Sequence, residues 1–181
     1  MAREPERASA EPLRVNGWLL LFHKGFVDQL DRLVTAYRKA RADDPTGFRS
    51  NANVKLLAAV ARLVLDLVPA DPTRPEYRQG NTLGKAYRDW FRVRFFQRFR
   101  LFFRYHGRAR IIVFAWLNDE TTLRARGSRS DPYEVFRAKL ERGDPPPDWD
   151  ALVQECGALP TDVGRPLVEI ARPPPTRGKT E

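Results

Sequence analysis

The side chains in this sequence best suited to chemistry are cations. Lys85, Arg88, Arg92, Arg94, Arg98, Arg100, Arg104, Arg124 and Arg126 fall in one stretch, with Phe, Tyr and Trp interleaved. From Tyr77 to Arg129 there are 13 Lys or Arg against Asp89, Asp119 and Glu120, a local net charge of 13 − 3 = +10. The whole chain is +9, so the remainder is close to neutral. A guanidinium is a planar fork of donors that matches phosphate oxygens, and it stays charged at any working pH. Arg92 and Arg94 alternate with Val93 and Phe95, while Arg98, Arg100, Phe102 and Arg104 share one face of a second run with the same period of two. Arginines facing one another across neighbouring strands repel unless something anionic covers them. A solvated face neutralised by nearby carboxylates is the ordinary alternative, and the local shortage of Asp and Glu weighs against it. A phosphate backbone is the natural cover.

In RNA cleavage without a metal, the 2′-hydroxyl attacks the adjacent phosphate, and fixed cations stabilise the charge that builds on the phosphorane. Arginine supplies the cation but not the base, because its pKa lies above ~12. Proton transfer then falls to His106, Glu120, Asp119 or Tyr133, and each has a structural reading as well. His106 suits a turn, Asp119 or Glu120 a helix cap, and Tyr133 a core. GNTLGKA at 80–86 approaches a phosphate-binding P-loop, but its glycines are one residue too close and Ala86 stands where a Ser or Thr would hold magnesium. It reads as a loop from which Lys85 can touch RNA. Cys156 is the one cysteine and His23 and His106 are the only histidines, so no Cys/His set stands at zinc spacing. Neither a metal nor a cofactor is expected.

The elements that must position these residues are legible from periodicity. Trp90–Phe96, Arg98–Tyr105 and Arg110–Leu117 read as three strands of an antiparallel meander, with HGRA at 106–109 as a tight turn. Phe99, Leu101, Phe103 and Tyr105 form the face of the second strand expected to meet the core. Upstream, Val15–Phe22 reads as an edge strand interrupted by Gly17, and Val27, Leu30, Val34 and Tyr37 mark a helix over about 26–41 that Pro45 and Gly47 end. Val54–Val68 is apolar almost all round, a helix packed on both sides and stopped by Pro69 and Pro72. Downstream, Asp131 as N-cap and Pro132 open a helix to 142 with Tyr133, Phe136 and Leu140 on one stripe. A short piece at 149–153 packs back on it.

With 181 residues, 42% hydrophobic and 11% aromatic, the chain suits one folded domain. The expected boundaries are a flexible arm at 1–12, a domain at 13–156 and a disordered, Pro-rich basic tail at 157–181. One cysteine implies a reducing compartment. No run approaches the roughly 20 apolar residues of a membrane span, and the N-terminus lacks the apolar centre of a signal peptide, so a cytoplasmic location is expected.

RVNGW at 14–18, KLLAAV at 55–60, DWFRVRF at 89–95, RLFFRY at 100–105, WLNDETTLR at 116–124 and the DPYEVF…LERGDPP run at 131–146 occur in order and at consistent spacing. In these motifs, over roughly 13–152, the chain resembles the YhaV toxin family of toxin–antitoxin systems. It departs from the family pattern at Phe96 and Gln97, where some relatives carry a glycine-containing insertion. The resemblance implies an α+β, RelE-like fold: a small antiparallel sheet with N-terminal helices packed on one face, and a C-terminal helix. It implies an endoribonuclease that arrests translation, acting on mRNA free or on the ribosome. It also implies a PrlF-type, AbrB-like antitoxin that neutralises the toxin and, in complex with it, represses their own operon by binding operator DNA. Arg92, Arg94, Arg100, Asp119 and Tyr133 become the candidate catalytic set, and Lys85, Arg88, Arg98, Arg104, Arg124 and Arg126 the candidate RNA-binding set. The alternative is a non-enzymatic basic toxin that binds nucleic acid or blocks a protein target such as gyrase.

Overall fold

Asn16 and Gly17 take φ of +50° and +79°, the left-handed pair that a two-residue hairpin turn demands and that Asn-Gly supplies. The run expected as a single edge strand is therefore a hairpin of β1 (Leu13–Val15) and β2 (Trp18–Phe22). β3 (Phe91–Phe95), β4 (Phe99–His106) and β5 (Ile111–Leu117) make the expected meander. All five strands join one sheet in the order β1-β2-β5-β4-β3. β2 runs parallel to β5, from Leu19 opposite Ile111 to Phe22 opposite Phe114. The sheet is thus antiparallel except for this one pair, and β2 is internal. The computed structural model describes residues 12–172; the expected arm apart from Pro12, and the tail from 173, lie outside the described residues.

One face of the sheet carries Trp18, Leu20, Phe22, Leu101, Phe103, Ile112 and Phe114. α1 (Lys24–Asp43) covers it with Phe26, Leu30, Val34 and Tyr37, four residues at helical spacing. α2 (Ala52–Arg62), capped by the Asn51 side chain, runs on through a π-helical turn at Leu63–Leu67 into α3 (Val68–Ala70), so the expected helix over 54–68 is one continuous helical run. The α+β class and the N-terminal helices on one face are as the sequence implies.

The reading of 157–181 as disordered needs correcting over its first part, because α6 (Thr161–Ala171) packs Val163, Leu167 and Ile170 into the same core. Pro166 inside the helix and Gly164 hide that periodicity. The proline removes the N–H that would bond the carbonyl four residues back, and Arg38 of α1 donates to that carbonyl, on Asp162, at 2.5 Å. α6 is thereby tied to α1 at the point where its own ladder is broken.

The second face also needs correcting, since only one side of β4 is expected to meet a core. Phe102 sits between the arginines of that face, and a bulge between Phe102 and Phe103 places Trp116 opposite Phe102, the two rings stacked 6.0 Å apart. α4 (Pro132–Glu141) lays Tyr133, Phe136 and Leu140 against them, and α5 (Trp149–Glu155) adds Leu152. The amphipathic stripe of α4 requires an apolar partner, and Phe102 and Trp116 provide it. The result is a second core in mid-face, with guanidinium groups at either end.

Candidate functional site

At the hairpin end of that face, two arginines meet one hydroxyl. Arg92 Nε donates to Tyr133 Oη at 2.8 Å, and Arg100 Nε donates to the same oxygen at 3.1 Å. All three side chains are nearly buried. Arg92 is fixed further by Nη1 to the Glu76 carbonyl (2.6 Å), and Arg100 by Nη1 to the carbonyls of Gln97 (2.9 Å) and Phe99 (2.8 Å). The Nη2 groups of both have no partner among the described residues, and neither is sealed from solvent: the one buried polar side-chain atom without a partner there is Trp90 Nε1. Arg124 lies over the Tyr133 ring at 4.8 Å and pairs with Asp131, which is almost fully buried.

Asp131 connects these parts. Its Oδ1 accepts from the Tyr133 amide at 3.0 Å as the N-cap of α4, while Oδ2 accepts from the Ala125 amide at 2.8 Å and from Arg124. Buried Asn118 does the same for the neighbouring loops, accepting from the Arg100 amide at 2.7 Å and donating to the carbonyls of Arg98 and Thr122. Sequence reading gave Asp131 only as a cap. Nothing in its spacing from Arg124 announces the ion pair, which depends on the loop 118–130 returning to the helix start.

The other sequence candidates divide. Arg94 faces Arg100 across the β3–β4 ladder and is exposed, Arg98 donates from Nε to the Arg124 carbonyl, and Arg126 is exposed beyond Arg124. These flank the Tyr133 cluster. Arg104 does not: it is buried, bonded to Asp89 (2.5 Å) and the Pro147 carbonyl (2.7 Å) between the rings of Trp90 and Trp149. Burial lowers its pKa, with Asp89 opposing the shift. It clasps the α4–α5 connection instead of offering a free guanidinium. Lys85 and Arg88 are exposed beside a 3-10 turn, Lys85–Tyr87, that precedes β3 and is no phosphate-cradling helix. His106 accepts from the Ala109 amide within its turn and lies six residues along β4 from Arg100, about 20 Å away.

Asp119 turns toward α1, where it meets Gln29 (3.1 Å) and Arg32 (3.5 Å) and accepts from Thr121 and Thr122. Its pKa is lowered: burial works against the charge, but the bonds from Thr121, Gln29 and Thr122 outweigh it. A carboxylate held charged by its own loop is a poor proton acceptor. Asp119→Asn is expected to leave cleavage within about twofold of wild type, because its carboxylate is bonded to Gln29, Thr121 and Thr122 and not to the Tyr133 cluster. Its stability difference should be full at neutral pH and shrink as pH falls below the ordinary carboxylate value of 3.8, because a depressed folded-state pKa stabilises only above the unfolded one. Unfolding at pH 7 and pH 3 measures it.

One group among the described residues has metal-ligating types close together: His23, Asp144 and Glu155. His23 Nδ1 already accepts from the Gly25 amide, so the neutral ring carries its proton on Nε2, which faces Glu155 at 3.2 Å. The proton occupies the position a metal would need. Next to it, burial first and the Glu155 charge second push the Cys156 thiol up to about 12. Cys156 should therefore resist thiol reagents at pH 8 in the folded protein and react readily once unfolded; rapid labelling of the native chain would contradict this.

Residues 20–157 match a family described as a toxin with endonuclease activity, of toxin-antitoxin system. The chain is 42% identical over 146 residues to the toxin YhaV of Escherichia coli O6:H1, and 41% identical over 146 residues to the ribonuclease toxin YhaV of Escherichia coli K12. Each alignment covers 80% of this chain and 95% of the relative. No solved structure matches it. With most of the chain matched and the arginine cluster inside the matched region, this protein belongs to the YhaV family of toxins with endonuclease activity.

Proposed function

We propose that this toxin cuts RNA without a metal, in the cytoplasm, and so inhibits translation and growth. A PrlF-type, AbrB-like antitoxin neutralises it and joins it in repressing their operon through operator DNA. The observation that carries the cleavage reading is the shared hydroxyl: Tyr133 Oη takes Nε–H bonds from both Arg92 and Arg100, whose Nη2 groups have no partner among the described residues. A phenol oxygen has two lone pairs, and both are in use, so its remaining capacity is to donate its proton. The phosphate binds against the unpartnered Nη2 edges of these guanidiniums. As the 2′-oxygen forms its bond to phosphorus, Arg92, Arg100 and Arg124 meet the growing negative charge. As the bond from phosphorus to the 5′-oxygen breaks, Tyr133 protonates that oxygen, leaving a 2′,3′-cyclic phosphate and a 5′-hydroxyl. The 2′-hydroxyl proton leaves to water, and water returns a proton to Tyr133 before the next turnover. Arg94, Arg98 and Arg126 hold the flanking backbone. A surface with this local charge also attracts an acidic segment, which is how the antitoxin covers it.

The test uses the purified full chain, a single-stranded RNA and a matched RNA with one 2′-deoxy nucleotide at the cut. Cleavage that persists in chelator, yields a cyclic phosphate and stops at the deoxy position is the expected result. Cleavage abolished by chelator, or undiminished at the deoxy position, overturns the mechanism.

A further inference from the structure

Phe96 is the one large apolar side chain exposed among the described residues, at 55%. It stands at the tip of the β3–β4 hairpin, where Phe96 and Gln97 take φ of +43° and +60°. Two successive side chains in the left-handed region are unfavourable, and such strain persists only where surrounding contacts impose it. Here they do. The Arg98 amide donates to the Phe96 carbonyl at 2.6 Å, the Arg98 carbonyl accepts from the Arg124 amide and from Asn118 Nδ2, both at 3.1 Å, and the Gln97 carbonyl accepts from Arg100 Nη1 at 2.9 Å. That last guanidinium is the one whose Nε holds Tyr133. The turn that carries the exposed ring is thus tied to the loop of Arg124 and to the guanidinium that meets Tyr133. The Phe95 ring backs it at 5.8 Å, Arg94 and Arg98 flank it, and no carboxylate occurs in the sequence between Asp89 and Asp119.

We propose that Phe96 is a stacking platform for one unpaired base of the RNA, next to the cut linkage, and that it makes the toxin select single-stranded RNA. This rests on the RNA-cleaving reading above. Duplex bases are stacked on each other and cannot reach the ring, whereas a splayed base lays its π face on it while its phosphates meet the arginines. Because the turn is fixed before RNA arrives, little ordering is needed on binding.

The test compares wild type, Phe96→Ala and Phe96→Trp in the full chain on a single-stranded RNA with one cut site, and on copies carrying one abasic nucleotide at successive positions. Phe96→Ala should lower kcat/KM about tenfold or more, with Phe96→Trp near wild type and thermal unfolding unchanged. One abasic position should lower the wild-type rate by a similar factor and have no further effect in Phe96→Ala. Cleavage by Phe96→Ala equal to wild type, or a loss shared evenly by every abasic substrate, overturns the proposal. So does a Phe96→Ala that cuts normally but escapes the antitoxin, which would assign the ring to a protein contact. If the wild-type chain cuts none of these RNAs, the proposed function itself fails, an outcome distinct from the others.

Discussion

Arg92→Ala is expected to lower kcat/KM for RNA by about a thousandfold, the size seen when a fixed donor to a transition-state oxyanion is removed. Arg92 touches Tyr133 Oη and its Nη2 has no partner among the described residues, so on the proposed mechanism its removal takes away both a cation for the phosphorane and one of the two bonds aiming the hydroxyl. Arg92→Lys should recover little, because an ammonium cannot span Tyr133 and the Glu76 carbonyl together while presenting a third donor. Tyr133→Phe should also be severe, and the double variant should fall less than the product of the two, since both act through one oxygen. Single-turnover rates on a defined RNA measure all three. An Arg92→Ala that is folded and within tenfold of wild type removes Arg92 from the mechanism.

Asp131→Ala should be the most destabilising single change in the site, by about 3 kcal/mol or more. It strips the N-cap of α4 and leaves Arg124 without its partner and the Ala125 amide without its acceptor. Asp131→Asn retains the acceptor for the Tyr133 amide and should cost roughly 1 kcal/mol, while letting Arg124 drift from the Tyr133 ring. Urea unfolding separates the pair of variants, and equal stabilities would contradict the account. Cleavage should fall in both, mainly through kcat, because positioning fails before binding does.

The class of fold and the arginine-bearing strands were legible because β3 and β4 alternate arginine with apolar residues at period two, β5 is a short bounded run of β-branched and aromatic residues, and α1 and α4 recur with period 3.6. Arg92 and Arg100 could be placed on one face from alternation alone. Their meeting at Tyr133 could not, because it depends on α4 crossing the arginine face, and a helical stripe does not name the surface it will cover. Arg104 shows the opposite failure: its spacing equals that of Arg100, yet Asp89, Pro147 and two tryptophans enclose it. The parallel pairing of β2 with β5 was hidden because it joins segments about ninety positions apart and leaves no local pattern. α6 was missed for its proline, whose orphaned carbonyl is met from another helix.

The shared hydroxyl also bears on how such a protein can be made at all. Translation delivers Arg92 and Arg100 well before Tyr133, and β2 waits for β5 before the sheet can close. A nascent chain that already contains every arginine of β3 and β4 still lacks the hydroxyl to which Arg92 and Arg100 donate. On the proposed mechanism, cleavage therefore waits until α4 has formed and laid Tyr133 against the two arginines.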